Sequence, residues 1–365
     1  MSEAWVKEKP VSLREAVTAA AAILRKARQP VLAGLGTDVA GARAAILLAE
    51  RLGGAFDHMH ADALLADLDV MRSAGAMLTT PNEARLRADT LLVVGAEAAR
   101  DGLLTRLLAP AHPELSLQDG ARRVVALGAE RFERAISARC HAVPLDDLPA
   151  VLSALHCALH GRRHAPAPLD AGIIASLASE LRQARFGVVV WSLQETAREP
   201  MLGFMLADLV ATLNEATRFS ALPLAPAGNG AGAVQTAAWM TGFPMRTGFA
   251  RGYPEHDPWR FDTARMVEQG EADAAVWISA YDVSAPPWTA VAPLVALAGA
   301  GTRFARAPDV RIAVGRPGHD HAGVDWSPDT GSFAPFPASA ASGLPSAANV
   351  LAMIDAAMQG EGARA

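Results

Sequence analysis

Asp89-Thr-Leu-Leu-Val-Val-Gly95 is the stretch whose reading decides the fold class. Five residues of strand-forming type run between an aspartate and a glycine with no polar–apolar alternation. A strand with that pattern is covered on both faces, the habit of parallel sheets. Outward from it the pattern recurs at Arg123–Gly128 and Phe186–Ser192, and more briefly at Val31–Gly34, Ala55–His58, Phe219–Leu222, Asp273–Ser279 and Val310–Val314. Helical periodicity fills the intervals. Ser12-Leu-Arg-Glu15 reads as a capping box opening a helix to Arg28. Thr37 or Asp38 caps a second helix to Leu52, and further helices are expected over Asp62–Arg72, residues 170–184, Glu195–Thr217, Asp262–Gln269, Val291–Ala298 and Ala347–Met358. Pro200 fits only a first turn, so the Glu195–Thr217 helix starts late. Pro110–Gly120 and Gly315–Leu344 read as loops. Strands alternating with helices predict α/β architecture, with ligands beyond the carboxyl ends of the strands.

The bulk composition narrows the function classes. The chain has 365 residues, 51% of them hydrophobic, and a net charge of -5. That length predicts two domains or one interlaced unit, and that charge argues against nucleic acid or an anionic membrane surface as partner. Two cysteines, Cys140 and Cys157, leave no disulfide framework, zinc site or iron–sulfur motif to write. Met1–Pro10 lacks the apolar region of a signal peptide, and the longest apolar runs fall short of the roughly 20 residues of a membrane span. A cytoplasmic protein is expected, with no membrane and no nucleic acid among its partners.

Several motifs carry two readings. Gly34-Leu-Gly36-Thr-Asp-Val-Ala-Gly41 follows a strand and opens a helix, but its glycine spacing departs from the dinucleotide fingerprint, so it reads as an ordinary strand-to-helix turn. His58-Met-His60, beside Asp57 and Asp62, could supply metal ligands, with His319-Asp-His321 as the second pair; the alternative is solvated or hydrogen-bonded loop histidines. Gly228, Asn229, Gly230 and Gly232 could present backbone amides to a phosphate, or could satisfy a turn that needs glycine torsions. Trp239, Phe243, Phe249, Tyr253, Trp259 and Phe261 could line a cavity or anchor loops to the core or to another subunit. Cys140 and Cys157 read as buried small residues. No nucleophile elbow and no phosphate-binding Walker loop occurs.

Three groups of segments resemble the B subunit of formylmethanofuran dehydrogenase, a molybdopterin- or tungstopterin-containing family. They are Pro10-Val-Ser-Leu-Arg-Glu-Ala16 with Pro30–Leu35, then Gly75-Ala-Met-Leu-Thr-Thr80 with Asn82–Asp89 and Gly95. The third and most specific is Trp239-Met-Thr-Gly-Phe-Pro244, Arg251-Gly-Tyr-Pro254, Pro258 and Gly270–Ala274. The resemblance implies interlaced, doubly wound parallel-sheet domains of the molybdopterin-oxidoreductase type, expected at 12–150 and 151–320 with a loop-rich segment and closing helix over 321–365. Redox-competent members carry an amino-terminal cysteine cluster for an iron–sulfur centre and a cysteine that ligates the metal after the second strand. No cysteine precedes Cys140, and the second position reads His58-Met-His-Ala-Asp-Ala63.

That departure is similar to the branch found in the formyltransferase/hydrolase complexes of aerobic methylotrophic bacteria. It implies a structural subunit with no active site of its own. Transfer and hydrolysis would belong to the D and A subunits, with the C subunit as neighbour, and a methanofuran-type carrier and zinc or another metal would reside in these partner subunits A, C and D. The tungstopterin or molybdopterin and the iron–sulfur cluster would be lost, and Gly228, Asn229, Gly230 and Gly232 would mark a vestigial cleft. One alternative is a pterin-binding dehydrogenase subunit with His58 or His60 as a non-cysteine metal ligand. Another is a hydrolase metal site made by the histidine pairs.

Overall fold

The Ser12 and Glu15 pair closes as a capping box in the computed structural model. The Glu15 amide donates to Ser12 Oγ at 3.2 Å and the Ser12 amide donates to Glu15 Oε2 at 2.8 Å. The helix they open, Leu13–Lys26, buries Ala16, Val17, Ala20, Ala21 and Leu24 along one face. The structure describes residues 3–108, 122–132 and 138–362. The chain is mixed α/β and forms two compact units. Residues 1–61, 227–326 and 333–365 form one, and 62–226 with 327–332 form the other.

The first unit is built on a nine-stranded sheet. Its order is Glu255–His256, Thr247–Gly248, Ala55–Phe56, Pro30–Gly36, Ala274–Ser279, Leu294–Ala298, Val310–Ala313, Ala4–Val6, Lys9–Pro10. The run from Ala55–Phe56 to Val310–Ala313 is parallel, and the pairs outside it are antiparallel. Val276 faces Leu32 in the register between the two central strands. Sequence order runs outward in opposite directions from these two strands, so the topological switch point lies between them.

The second unit has a parallel five-stranded sheet ordered Arg139–His141, Arg123–Leu127, Thr90–Val94, Gly187–Ser192, Phe219–Leu224. Its central strand is the stretch that decides the fold class, and both its faces are buried. Leu92 and Val94 pack with Leu152, Leu155, Leu177 and Leu206 on one side. Leu91 and Val93 pack with Ala98, Leu104 and Val188 on the other. Here too the switch point falls beside the central strand, between it and Gly187–Ser192.

Several expectations need correction. The division expected at 150/151 falls inside the helix Leu148–Leu159, and residues 227–326 return to complete a sheet begun by Pro30–Gly36. Val291–Ala298 is not a helix: Leu294–Ala298 pairs as a strand between two parallel neighbours. Glu195–Thr217 divides at Glu199, whose backbone is not helical and precedes Pro200, into Leu193–Arg198 and Pro200–Leu213. The expected loop over Gly315–Leu344 contains a hairpin of Gly323–Ser327 with Ser332–Phe336. The expected loop Pro110–Gly120 lies outside the described residues.

Candidate functional site

In the first unit the carboxyl ends of three adjacent parallel strands carry the polar residues singled out from the sequence. Pro30–Gly36 leads to Thr37 and Asp38, Ala55–Phe56 to Asp57–His60, and Ala274–Ser279 to Tyr281 and Asp282. The Gly34–Gly41 motif is the strand-to-helix turn it was expected to be. A Cβ on Gly34 would lie 2.5 Å from the Ile278 carbonyl, and one on Gly41 would lie 2.2 Å from Thr37 Oγ1. Asp38 caps the helix Val39–Leu52 by accepting from the Gly41 amide at 2.9 Å. The glycines serve close packing and the acid serves the cap.

Asp57 and His58 are buried at 4% and 3% exposure. Asp57 Oδ1 accepts from the His58 amide at 2.9 Å, and Oδ2 lies 3.3 Å from Arg246 Nε. Arg246 also pairs with Asp262 at 3.1 Å, so its charge is shared. Burial pushes the Asp57 carboxyl up to about 8 against the pull of Arg246. The His60 amide lies 3.1 Å from His58 Nδ1, and His58 Nε2 lies 3.2 Å from the Gly228 carbonyl. The first contact makes Nδ1 the acceptor, so the proton sits on Nε2 and is donated to Gly228. Burial holds His58 down to about 4, in its neutral form. His60 is also pushed down by burial, with the nearby Asp282 opposing.

This donor set does not fit the tungsten or molybdenum centre that the family resemblance implies. The metal position has no thiolate, the soft donor such a metal is expected to take. Both ring nitrogens of His58 are committed to backbone partners, and the Asp57 side chain is tied to Arg246. The second histidine pair is engaged locally: His319 lies 3.3 Å from Asp320, and His321 faces the Gly315 and Ala322 carbonyls. Among the described residues no three His, Cys, Asp or Glu side chains are grouped to hold a metal ion. The structure therefore does not assemble the two pairs into the hydrolase site considered from the sequence.

At the glycine-rich loop, the torsional reading accounts for the residues. Gly228 and Asn229 both have left-handed φ, 81° and 58°. The Asn229 side chain makes no capping hydrogen bond to the first turn of Gly230–Thr241. Its Nδ2 donates to the Thr37 carbonyl at 3.0 Å, and its Oδ1 accepts from the Trp326 amide at 3.3 Å. A Cβ on Gly232 would lie 2.1 Å from Asn229 Oδ1, which explains that glycine, while Gly230 is buried where the helix starts. His58 and Asn229 together lace the loop to the strand ends at the switch point.

Two further clusters went unnoticed in the sequence. Tyr281 donates to Asp325, beside Asp38, and burial pushes Asp325 up to about 7. In the second unit, Glu195 is 3% exposed and its carboxylate accepts from the Glu97 and Ala98 amides at 3.1 and 3.4 Å. Burial holds its carboxyl above the ordinary range, with these amides opposing. A Cβ on Gly95, whose φ is 100°, would lie 1.9 Å from Glu195 Oε2. Ser192-Leu-Gln-Glu195 has the spacing of a capping box, yet the glutamate reaches across the sheet instead of back to Ser192. The protein's own carboxylate thus sits at the switch point of this unit.

The aromatic residues divide by exposure. Phe249 and Phe261 are buried, whereas Trp239, Tyr253 and Trp259 are 61%, 52% and 68% exposed in the single chain. Trp239 leans on Phe333 at 4.6 Å, and Arg265 lies over Trp259 at 4.1 Å. Cys140 and Cys157 are half-buried free thiols, and burial pushes Cys140 up. No helix among the described residues is long and apolar enough to cross a membrane.

No family model matches the chain. It is 38% identical over 335 residues to the B subunit of the formyltransferase/hydrolase complex (Fhc) of Methylorubrum extorquens, across 91% of this chain and 90% of that protein. It is 26% identical over 282 residues to the B subunit of the tungsten-containing formylmethanofuran dehydrogenase 2 of Methanocaldococcus jannaschii, spanning 73% of this chain and 63% of that one. The counterpart in Methanococcus maripaludis is 24% identical over 300 residues, spanning 73% and 64%. A chain in the crystal structure of the FhcABCD complex of Methylorubrum extorquens with methylofuran superposes with a TM-score of 0.86. It is 36% identical, and the match covers 99% of both chains.

Proposed function

The chain belongs to the B-subunit family of formyltransferase/hydrolase complexes, and from that premise we propose that it is a structural subunit with no active site of its own. Its partners are the A, C and D subunits. The complex moves a formyl group from tetrahydromethanopterin to a methanofuran-type carrier and hydrolyses it to formate during one-carbon (formaldehyde) oxidation in the cytoplasm. In this reading the fold is a degenerate molybdopterin-oxidoreductase architecture without its iron–sulfur domain. The pterin, its metal and the cluster are lost, and transfer chemistry and metal sites belong to the partners. The observation that carries the proposal is the match over nearly the whole chain to a subunit of such a complex.

The geometry supports the same reading. Dehydrogenase chemistry at this position calls for a thiolate, and the residues there are His58, Met59 and His60 with His58 fully engaged. Polar groups at the switch points are spent on internal bonds: Asn229 on Thr37 and Trp326, Glu195 on the amides after Gly95. The exposed Trp239, Tyr253 and Trp259 are anchors for neighbouring subunits.

Co-expression of the four subunits with and without this chain tests the proposal. The complete set should co-purify as one species that releases formate, and omission of this chain should leave the others unassembled. Full assembly and activity without it would refute the proposal.

A further inference from the structure

The second unit has a cleft for which the structural role gives no use. The helices Leu148–Leu159 and Ala171–Arg182, with the turn after the first, border a cavity of about 720 Å³. Small side chains, Ala175 and Ala178 among them, form part of its lining, and Arg162, Arg163 and Arg182 supply the positive groups. The concentration of positive charge is not a by-product of composition, since the chain as a whole carries -5.

The neighbouring acids have other partners. Asp170 Oδ1 caps its helix by accepting from the Gly172 and Ile173 amides at 2.8 and 3.3 Å, and Glu180 pairs with Arg139. Elsewhere Arg51, Arg72, Arg106 and Arg198 each pair with a carboxylate. Among the described residues Arg162, Arg163 and Arg182 have no such pair. Three guanidinium groups around one concavity are suited to bidentate hydrogen bonds with phosphate or carboxylate oxygens.

We propose that this cleft binds a ligand carrying several negative charges, a polyphosphate or an oligocarboxylate. The inference stands apart from the subunit role, because it concerns a cleft that neither the strand-end site nor the exposed aromatic residues use.

The test is calorimetric titration of the assembled complex with tripolyphosphate and, separately, with a tri-glutamate peptide at about 50 mM salt, where screening is weak. At least one probe should bind saturably, and the tighter one assigns phosphate or carboxylate chemistry. Arg163→Gln with Arg182→Gln should weaken binding about 100-fold, roughly tenfold for each guanidinium removed. Arg72→Gln, an exposed arginine outside the cleft, should leave it unchanged. Saturable binding of neither probe, or equal binding by the double variant and the wild type, would overturn the proposal.

Discussion

Protonating His58 should loosen the strand-end site, and the size of the effect follows from its surroundings. The ring is 3% exposed, its Nε2 proton is donated to the Gly228 carbonyl, and its Nδ1 accepts from the His60 amide. A second proton has nowhere to go without breaking the Nδ1 hydrogen bond and charging a buried ring. Burial therefore lowers the folded value to about 4 from an ordinary 6.5. The folded chain favours the neutral form, so the contribution is fully present above pH ~6.5 and is lost as pH falls toward about 4. At about 1.4 kcal/mol per pH unit, the gap corresponds to at most about 3 kcal/mol. His58→Gln keeps a donor for Gly228 but cannot titrate. Urea denaturation of both proteins between about pH 7.5 and 4.5 isolates the term, because other titrating groups are common to the two. The wild type should lose about 2–3 kcal/mol more than the variant across that range. Parallel profiles, within about 0.5 kcal/mol, would refute the burial and tautomer assigned to His58.

Other substitutions probe the remaining parts. Glu195→Ala should cost about 2–4 kcal/mol, since it leaves two amides of the Ala96–Arg100 turn without an acceptor, and denaturant midpoints would show it. Gly232→Ala should cost about 1–3 kcal/mol by displacing Asn229 Oδ1. That cost should shrink in an Asn229→Ala background, and additive costs in the double variant would contradict the close approach. Trp239→Ser with Trp259→Ser should leave the thermal transition of the isolated chain within a few degrees while reducing co-purification of the partners. Loss of chain stability with assembly intact would reverse the assignment of these residues as anchors.

The fold class was legible because central parallel strands are apolar on both faces. Thr90–Val94, Gly187–Ser192 and Ala274–Ser279 lie where their unbroken runs place them, and the Ser12 and Asp38 caps formed as their side-chain chemistry requires. Leu294–Ala298 fits either reading locally, because a short apolar run suits helix and strand alike. The return of residues 227–326 to the first sheet is set by pairing between strands distant in sequence, which local patterns do not encode. At the candidate site the residues were legible and their roles were not. His58 and Gly228 each stood out alone, but the hydrogen bond between them crosses 170 positions. Glu195 was hidden by its capping-box spacing, and only the close approach of Gly95 reveals its target.

In the proposed role this chain keeps the architecture of a redox subunit without its metal chemistry. Metal and pterin analysis of the intact complex, purified from cells supplied with tungstate and molybdate, tests it most directly. The expected result is a complex that holds this chain in stoichiometric amount with neither tungsten nor molybdenum and no bound pterin. One tungsten or molybdenum per chain, together with a pterin, would contradict it.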